Sequence, residues 1–326
     1  MRKPGTFRRA ALAVAALLMA GALPTRTHAQ SELMRDRMPY DAFDRMPKTD
    51  LDVRSGVIHV AFAPGDLALP KETILQWVAT SAKAVSIYYG HFPVKSLKLL
   101  FVPVGGTRVQ GGTTWAYRGA AIRIPLGRDA SIDDLKRDWV MVHEMVHLAL
   151  PDMEDRYAWL SEGLAVYIEP VARVQAGDLD AREIWFAMIR DMPKGLPQSG
   201  DQGLDNTDTW GRKYWGGAMF ALYADVEIRK ATGNKLGLQD AMRGVLAAGG
   251  NHEADWSIER ILSTADKAVG VNVLTKLHDE WGSKPVKPDL GALWRDLGVR
   301  LRDGGIEFDD TAPLAAIRTA ITRAPK

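Results

Sequence analysis

Cysteine is absent from all 326 residues. Without it there is no disulfide framework, no thiolate metal ligand and no lipid-modified cysteine, so the fold rests on a hydrophobic core. Any transition-metal site must be built from His and carboxylates. A surplus of charge is also missing: 42 basic against 40 acidic residues leave a formal charge of +2. That gives no electrostatic footprint for nucleic acid or an anionic membrane surface, and no nucleic-acid partner is expected. Internal repeats and low-complexity tracts are lacking as well. One long apolar run exists, residues 10–23, short of the roughly 20 residues needed to span a bilayer. It follows Arg2, Lys3, Arg8 and Arg9 and precedes Thr27-His28-Ala29. Residues 1–29 therefore read as a signal peptide cleaved near Ala29, so the chain is expected to be exported, periplasmic or secreted, with no transmembrane segment once mature.

What is present is an ordinary globular composition, 46% hydrophobic and 25% charged, organised around His143-Glu144-Met145-Val146-His147. On an α-helix the two histidines lie about 40° apart around the axis and about 6 Å apart along it, on one face. Two imidazoles so placed can bind one metal ion. Glu144 projects about 100° away, able to reach a water on that metal without being a ligand. From the residue frequencies, an accidental match arises in roughly one of two hundred such chains. Glu162, in Trp159-Leu160-Ser161-Glu162-Gly163-Leu164-Ala165, supplies a third ligand. Three N/O ligands and an open position are what catalytic Zn²⁺ requires, and zinc is the expected cofactor.

Around this centre the periodicity predicts an α+β architecture. Residues 30–50 are polar and aperiodic and are read as an arm lying over the surface. Residues 57–63 alternate as a strand, with Ile58, Val60 and Phe62 on one face and His59 on the lighter one. A helix over 71–90 is followed by strands in 97–103 and 113–124, punctuated by glycine pairs. Ser131 caps a helix expected to run unbroken to Leu150, and a second helix, residues 157–169, should stop at Pro170. The short connection between them favours antiparallel neighbours and returns Glu162 toward the histidines. After a helix over 180–192 comes a long aperiodic stretch, 193–212, whose Asp201, Asp205 and Asp208 are read as solvated. The remainder is helical: 214–231, 238–248, 257–268, 271–281 and a last helix after Pro313.

His143-Glu144-x-x-His147 with W-L-S-E-G-L-A resembles the gluzincin metallopeptidases, the group that includes thermolysin and the aminopeptidase N and glycyl aminopeptidase types. The fourteen-residue gap before Glu162 is similar to the peptidase MA-like branch. Tyr214-Trp215-Gly216-Gly217-Ala218 resembles the Y-x-K-G helix of the aminopeptidase families, with Gly216 in the place of the Lys. The resemblance spans roughly residues 85–320. It implies a thermolysin-like zincin: a small β-rich lobe (51–127), an active-site helix pair (131–170) and a helical lobe (171–326), all within one peptidase domain over 51–326. It also implies that Tyr214 hydrogen-bonds the developing oxyanion. No G-x-M-E-N segment is present; Gly111-Gly112-Thr113-Thr114-Trp115 stands there without a carboxylate, so a grip on a free amino terminus is not implied.

The function expected from these residues is hydrolysis of peptide bonds in a peptide or protein substrate, with Glu144 as general base and the peptide pairing with an edge strand in 113–124. Asp225 or Glu169 would orient the histidine rings. Two alternatives share the chain: a non-catalytic envelope binding protein, and a zinc hydrolase of a non-peptide substrate. The oligomeric state is left open.

Overall fold

Near-continuous apolar runs, buried on both faces, account for the sheet's central strands. The computed structural model describes residues 37–325, so the expected signal peptide lies outside the described residues. Strands β1 (Lys48–Val53), β2 (Gly56–Phe62), β3 (Ser96–Val104), β4 (Thr113–Trp115) and β5 (Ala121–Gly127) form one sheet in the order β1-β2-β3-β5-β4. The central pairs are parallel, while β1 and β4 run antiparallel along the two edges. Helix α2 (Lys71–Tyr89) covers one face, burying Ile74, Val78 and Val85 with Ile58, Val60, Leu99 and Ile122. It ends where the sequence predicts, at Gly90 in the left-handed region with φ 88°.

The segment read as an arm has structure of its own. Residues 40–45 form α1 (Tyr40–Arg45), and Met38, Tyr40 and Phe43 pack on Ala61, Leu100 and Ala121 across the sheet's other face. β1 starts at Lys48, so the boundary expected at residue 51 falls inside a strand. Three buried apolar side chains among polar ones are too few to register as a period, yet enough to cover a sheet face.

The helix expected over 131–150 is two helices. Ser131 does cap α3 (Ile132–Arg137) in a capping box with Asp134, but Asp138 is extended (φ −68°, ψ 139°) and breaks the run. Its Oδ2 then accepts from the Met141 N–H at 3.0 Å, starting α4 (Val140–His147) afresh. The next helix errs in the opposite sense: α5 (Ala158–Ala176) continues through Pro170 to Gly177. Burial of Ile168, Val171 and Ala172 on either side of the proline offsets the lost backbone hydrogen bond.

Beyond α5 come α6 (Ala181–Asp191), a six-residue π-helical turn (Gly211–Gly216), α7 (Gly217–Ala231), α8 (Leu238–Ala247), α9 (Ile258–Val269) and α10 (Leu274–Trp281). Then follow α11 (Leu290–Leu297), the hairpin β6 (Val299–Arg302) and β7 (Gly305–Phe308), and α12 (Ala315–Thr322). The sequence pattern did not reveal α11, of eight residues, or the hairpin, whose strands are four residues each. The stretch 193–212 is held by two of its own acids, Asp201 and Asp205, which are not solvated, whereas Asp208 is exposed as expected and pairs with Lys213. Asp201 lies 2.8 Å from Arg212, and Asp205 accepts from Trp159 Nε1 and meets His278, both at 2.9 Å. The fold is thus α+β, a small N-terminal sheet followed by a helical C-terminal region. Among the described residues no helix is long and apolar enough to cross a membrane.

Candidate metal centre

α4 and α5 pack against each other and bring the two halves of the ligand set together. Glu162 Oε2 lies 3.1 Å from His143 Nε2 and 3.5 Å from His147 Nε2. One ligand atom from each of the three residues falls within 4.8 Å of the others. The imidazole planes stand nearly perpendicular, at 84°, with centroids 4.9 Å apart. His147 Nδ1 is taken up by Ser161 Oγ at 2.9 Å, which leaves Nε2 to face Glu162. His143 Nδ1 is buried with no hydrogen-bond partner. Two imidazole nitrogens and one carboxylate oxygen converging in a half-buried space fit a zinc ion by donor chemistry and by spacing.

Charge follows from this arrangement. Burial acts to raise the Glu162 carboxyl, but hydrogen bonds from both imidazoles outweigh it and hold the group well below the usual carboxylate range. Burial lowers His143. At His147 burial pulls the same way, and Glu162 and Glu144 overcome it to raise the ring.

Ser161, not Asp225 or Glu169, orients a histidine ring. Asp225 is held by Arg229 at 2.7 Å and by the Tyr167 hydroxyl at 2.8 Å; Glu169 is paired with Arg173 at 3.0 Å. Glu169 lies two turns beyond Glu162 along α5, and each acid is taken up by an arginine at i+4 on its own helix, Asp225 by Tyr167 of α5 as well. Ser161 adjoins Glu162, a signal available in the sequence.

Glu144 is buried, and its carboxylate meets the sheet edge. Thr114 Oγ1 lies 2.7 Å from Glu144 Oε2 and 3.0 Å from its carbonyl oxygen. Gly112 backs onto the same side chain; a Cβ there would stand 2.8 Å from Cδ and 2.9 Å from Oε1. These two residues lie some thirty positions upstream of Glu144 and had no local pattern to mark them.

Tyr214 reaches the same place from the π-helical turn. It lines a cavity of about 460 Å³ with His143, Glu144, His147 and Glu162. Burial, the negative charges of Glu162 and Glu144 and the approach of Glu162 push the phenol up to about 12, so it is a proton donor at neutral pH. Two glycines permit this. A Cβ on Gly163 would collide with the Gly217 backbone, and one on Gly217 with the Trp159 carbonyl, so α5 and α7 touch backbone to backbone. The E-G pair of one motif and the G-G pair of the other are the two sides of one contact. His252 also lines the cavity, its ring lowered by burial and by His147; a lone His in a loop gave no sequence signal.

Neither a protein-family model nor a curated protein matches the chain. Solved structures do. An aminopeptidase N family protein from Idiomarina loihiensis superposes with a TM-score of 0.58 at 14% identity, over 79% of this chain and 50% of that one. A two-domain M1 zinc metallopeptidase, a point mutant bound to L-arginine, gives a TM-score of 0.50 at 16% identity over 75% of this chain and 53% of that one. At such identities the likeness is one of fold. The chain spans about half the length of these structures.

Proposed function

We propose that this protein is an exported zinc-dependent metallopeptidase, its peptidase domain taking in the whole of β1 from Lys48 and running to residue 326, with residues 1–29 serving as a signal removed near Ala29. The observation that carries the reading is that His143, His147, Glu162, Glu144 and Tyr214 line a single cavity. Under it His143, His147 and Glu162 hold the zinc ion. When bound there, the metal supplies Lewis acidity to the scissile carbonyl and acidifies a water.

The remaining steps belong to the chain. Glu144 accepts the proton of the attacking water and delivers it to the departing amine nitrogen, and Thr114 keeps its carboxylate aimed. The Tyr214 hydroxyl, protonated at neutral pH, donates to the carbonyl oxygen as negative charge develops on it. β4 is the outer strand of the sheet and borders the cavity at Thr113 and Thr114, where it can pair with the main chain of an extended peptide.

Purified mature protein assayed for zinc and for hydrolysis of an unbiased peptide library tests this. One equivalent of zinc with peptide cleavage is expected. Zinc without cleavage would favour a hydrolase of another substrate class, and absence of both a binding protein.

A further inference from the structure

The cavity does not end at the ligand triad. Residues 108–115 run beside β5 as one edge: the Gly127 N–H donates to the Arg108 carbonyl at 3.0 Å, the Gln110 N–H to the Pro125 carbonyl at 2.9 Å, and Val109 bridges to Leu126. Further on, Thr113 faces Arg123. The register slips by one residue between these points, leaving Gly111 and Gly112 opposite Ile124 as a bulge. That bulge presses Gly112 against Glu144. Because Arg108 and Gln110 turn their backbone groups inward to β5, those of Val109 turn outward.

A second cavity, about 420 Å³, borders the same edge at residues 108–111 and faces the junction between α3 and α4. Gly111, Trp139 and Val140 line both cavities, so the two adjoin along this edge. Trp139 stands at the junction, 52% exposed and edge-on to the His143 ring at 5.1 Å. The edge over residues 108–115, at about 3.3 Å per residue, is long enough to pair with several residues of extended chain.

Neither cavity offers the fixed anion that a free amino terminus needs. In the first cavity the carboxylates are Glu162 and Glu144, both already given roles. In the second, Asp134 is spent on Ser131 and on Arg137 at 3.1 Å, and Asp138 caps Met141. One cation is uncommitted: Arg108 is exposed and makes no ion pair among the described residues, whereas Arg137 is paired with Asp134.

Resting on the peptidase reading above, we infer that the enzyme cleaves within a polypeptide rather than from its amino end. Substrate adds as a further strand along residues 108–115, and the subsite beyond Trp139 takes an acidic side chain through Arg108. The scissile amide carbon gains the water oxygen, the C–N bond breaks, and the proton leaves through Glu144 to the new amine.

The test uses the zinc-loaded full mature chain and one peptide library in two forms, with free ends and with N-acetyl and C-amide caps. Internal cleavage of both at rates within about threefold is expected, with Asp and Glu enriched at one fixed position from the cut. Arg108→Glu should turn that preference from acidic to basic by about tenfold, with zinc content unaltered. Trimming only from free amino or carboxyl ends would overturn the inference while leaving the peptidase reading intact. Cleavage of neither form would remove both. An acidic preference unmoved in Arg108→Glu would refute the assignment of that subsite.

Discussion

Replacing Gly112 with Ala is a single-methyl test of how Glu144 is held. No positive φ is found at Gly112, so alanine is free to adopt its backbone conformation and the effect isolates sterics. The new Cβ would stand 2.8 Å from Glu144 Cδ and 2.9 Å from Oε1, where carbon contacts settle at about 3.5–4.0 Å. The carboxylate, or the edge strand, must therefore move by about 1 Å. Moving the carboxylate also strains its 2.7 Å contact with Thr114. A 1 Å displacement of a reacting group costs on the order of 10²-fold in rate. Gly112→Ala should accordingly lower kcat by about 10²-fold, retain zinc because no ligand is touched, and lose about 1–3 kcal/mol of stability from overpacking. Metal analysis, turnover on a cleaved library peptide and thermal unfolding read the three quantities separately. Wild-type kcat with an unchanged melt would show that Glu144 is not packed against this edge, and the positioning argument would fall.

His147→Ala should abolish stoichiometric zinc binding, measured by metal analysis after dialysis; a full equivalent surviving would sink the ligand set. Glu144→Gln should keep zinc and the melt while cutting kcat by at least about 10²- to 10⁴-fold, since an amide cannot take the proton. Tyr214→Phe should lower kcat by about 10²-fold with KM little changed, whereas a Tyr that merely packs predicts normal kcat. Asp138→Asn addresses pH: burial raises this carboxyl to about 6 from 3.8, so the native state binds the extra proton and stability falls as pH climbs through that interval. The melting temperature of Asp138→Asn relative to wild type should therefore rise between pH 4.5 and pH 7.5, by the equivalent of about 2 kcal/mol; a difference that shrinks with rising pH would contradict the burial of that charge.

The sequence by itself determined what depends on neighbours along the chain. Helical spacing placed His143 and His147 on one face, the absence of cysteine confined any metal site to such residues, and capping and glycine signals located α2, α6, α8 and α9 to within a few residues. Where local signals misled, packing had overruled them: Pro170 sits inside α5 because the apolar residues around it are buried, and Asp138 starts a new helix because its side chain captures Met141. The surroundings of Glu144 were decided by tertiary structure alone. Thr114 and Gly112 reach it only because β4 is the edge strand beside α4, and Tyr214 because two glycines let α5 and α7 meet at their backbones. The physical reason is range. A helix face follows from 3.6 residues per turn, but which sheet edge or helix comes to stand against it is fixed by burial summed over the whole core, and no window of sequence contains that sum.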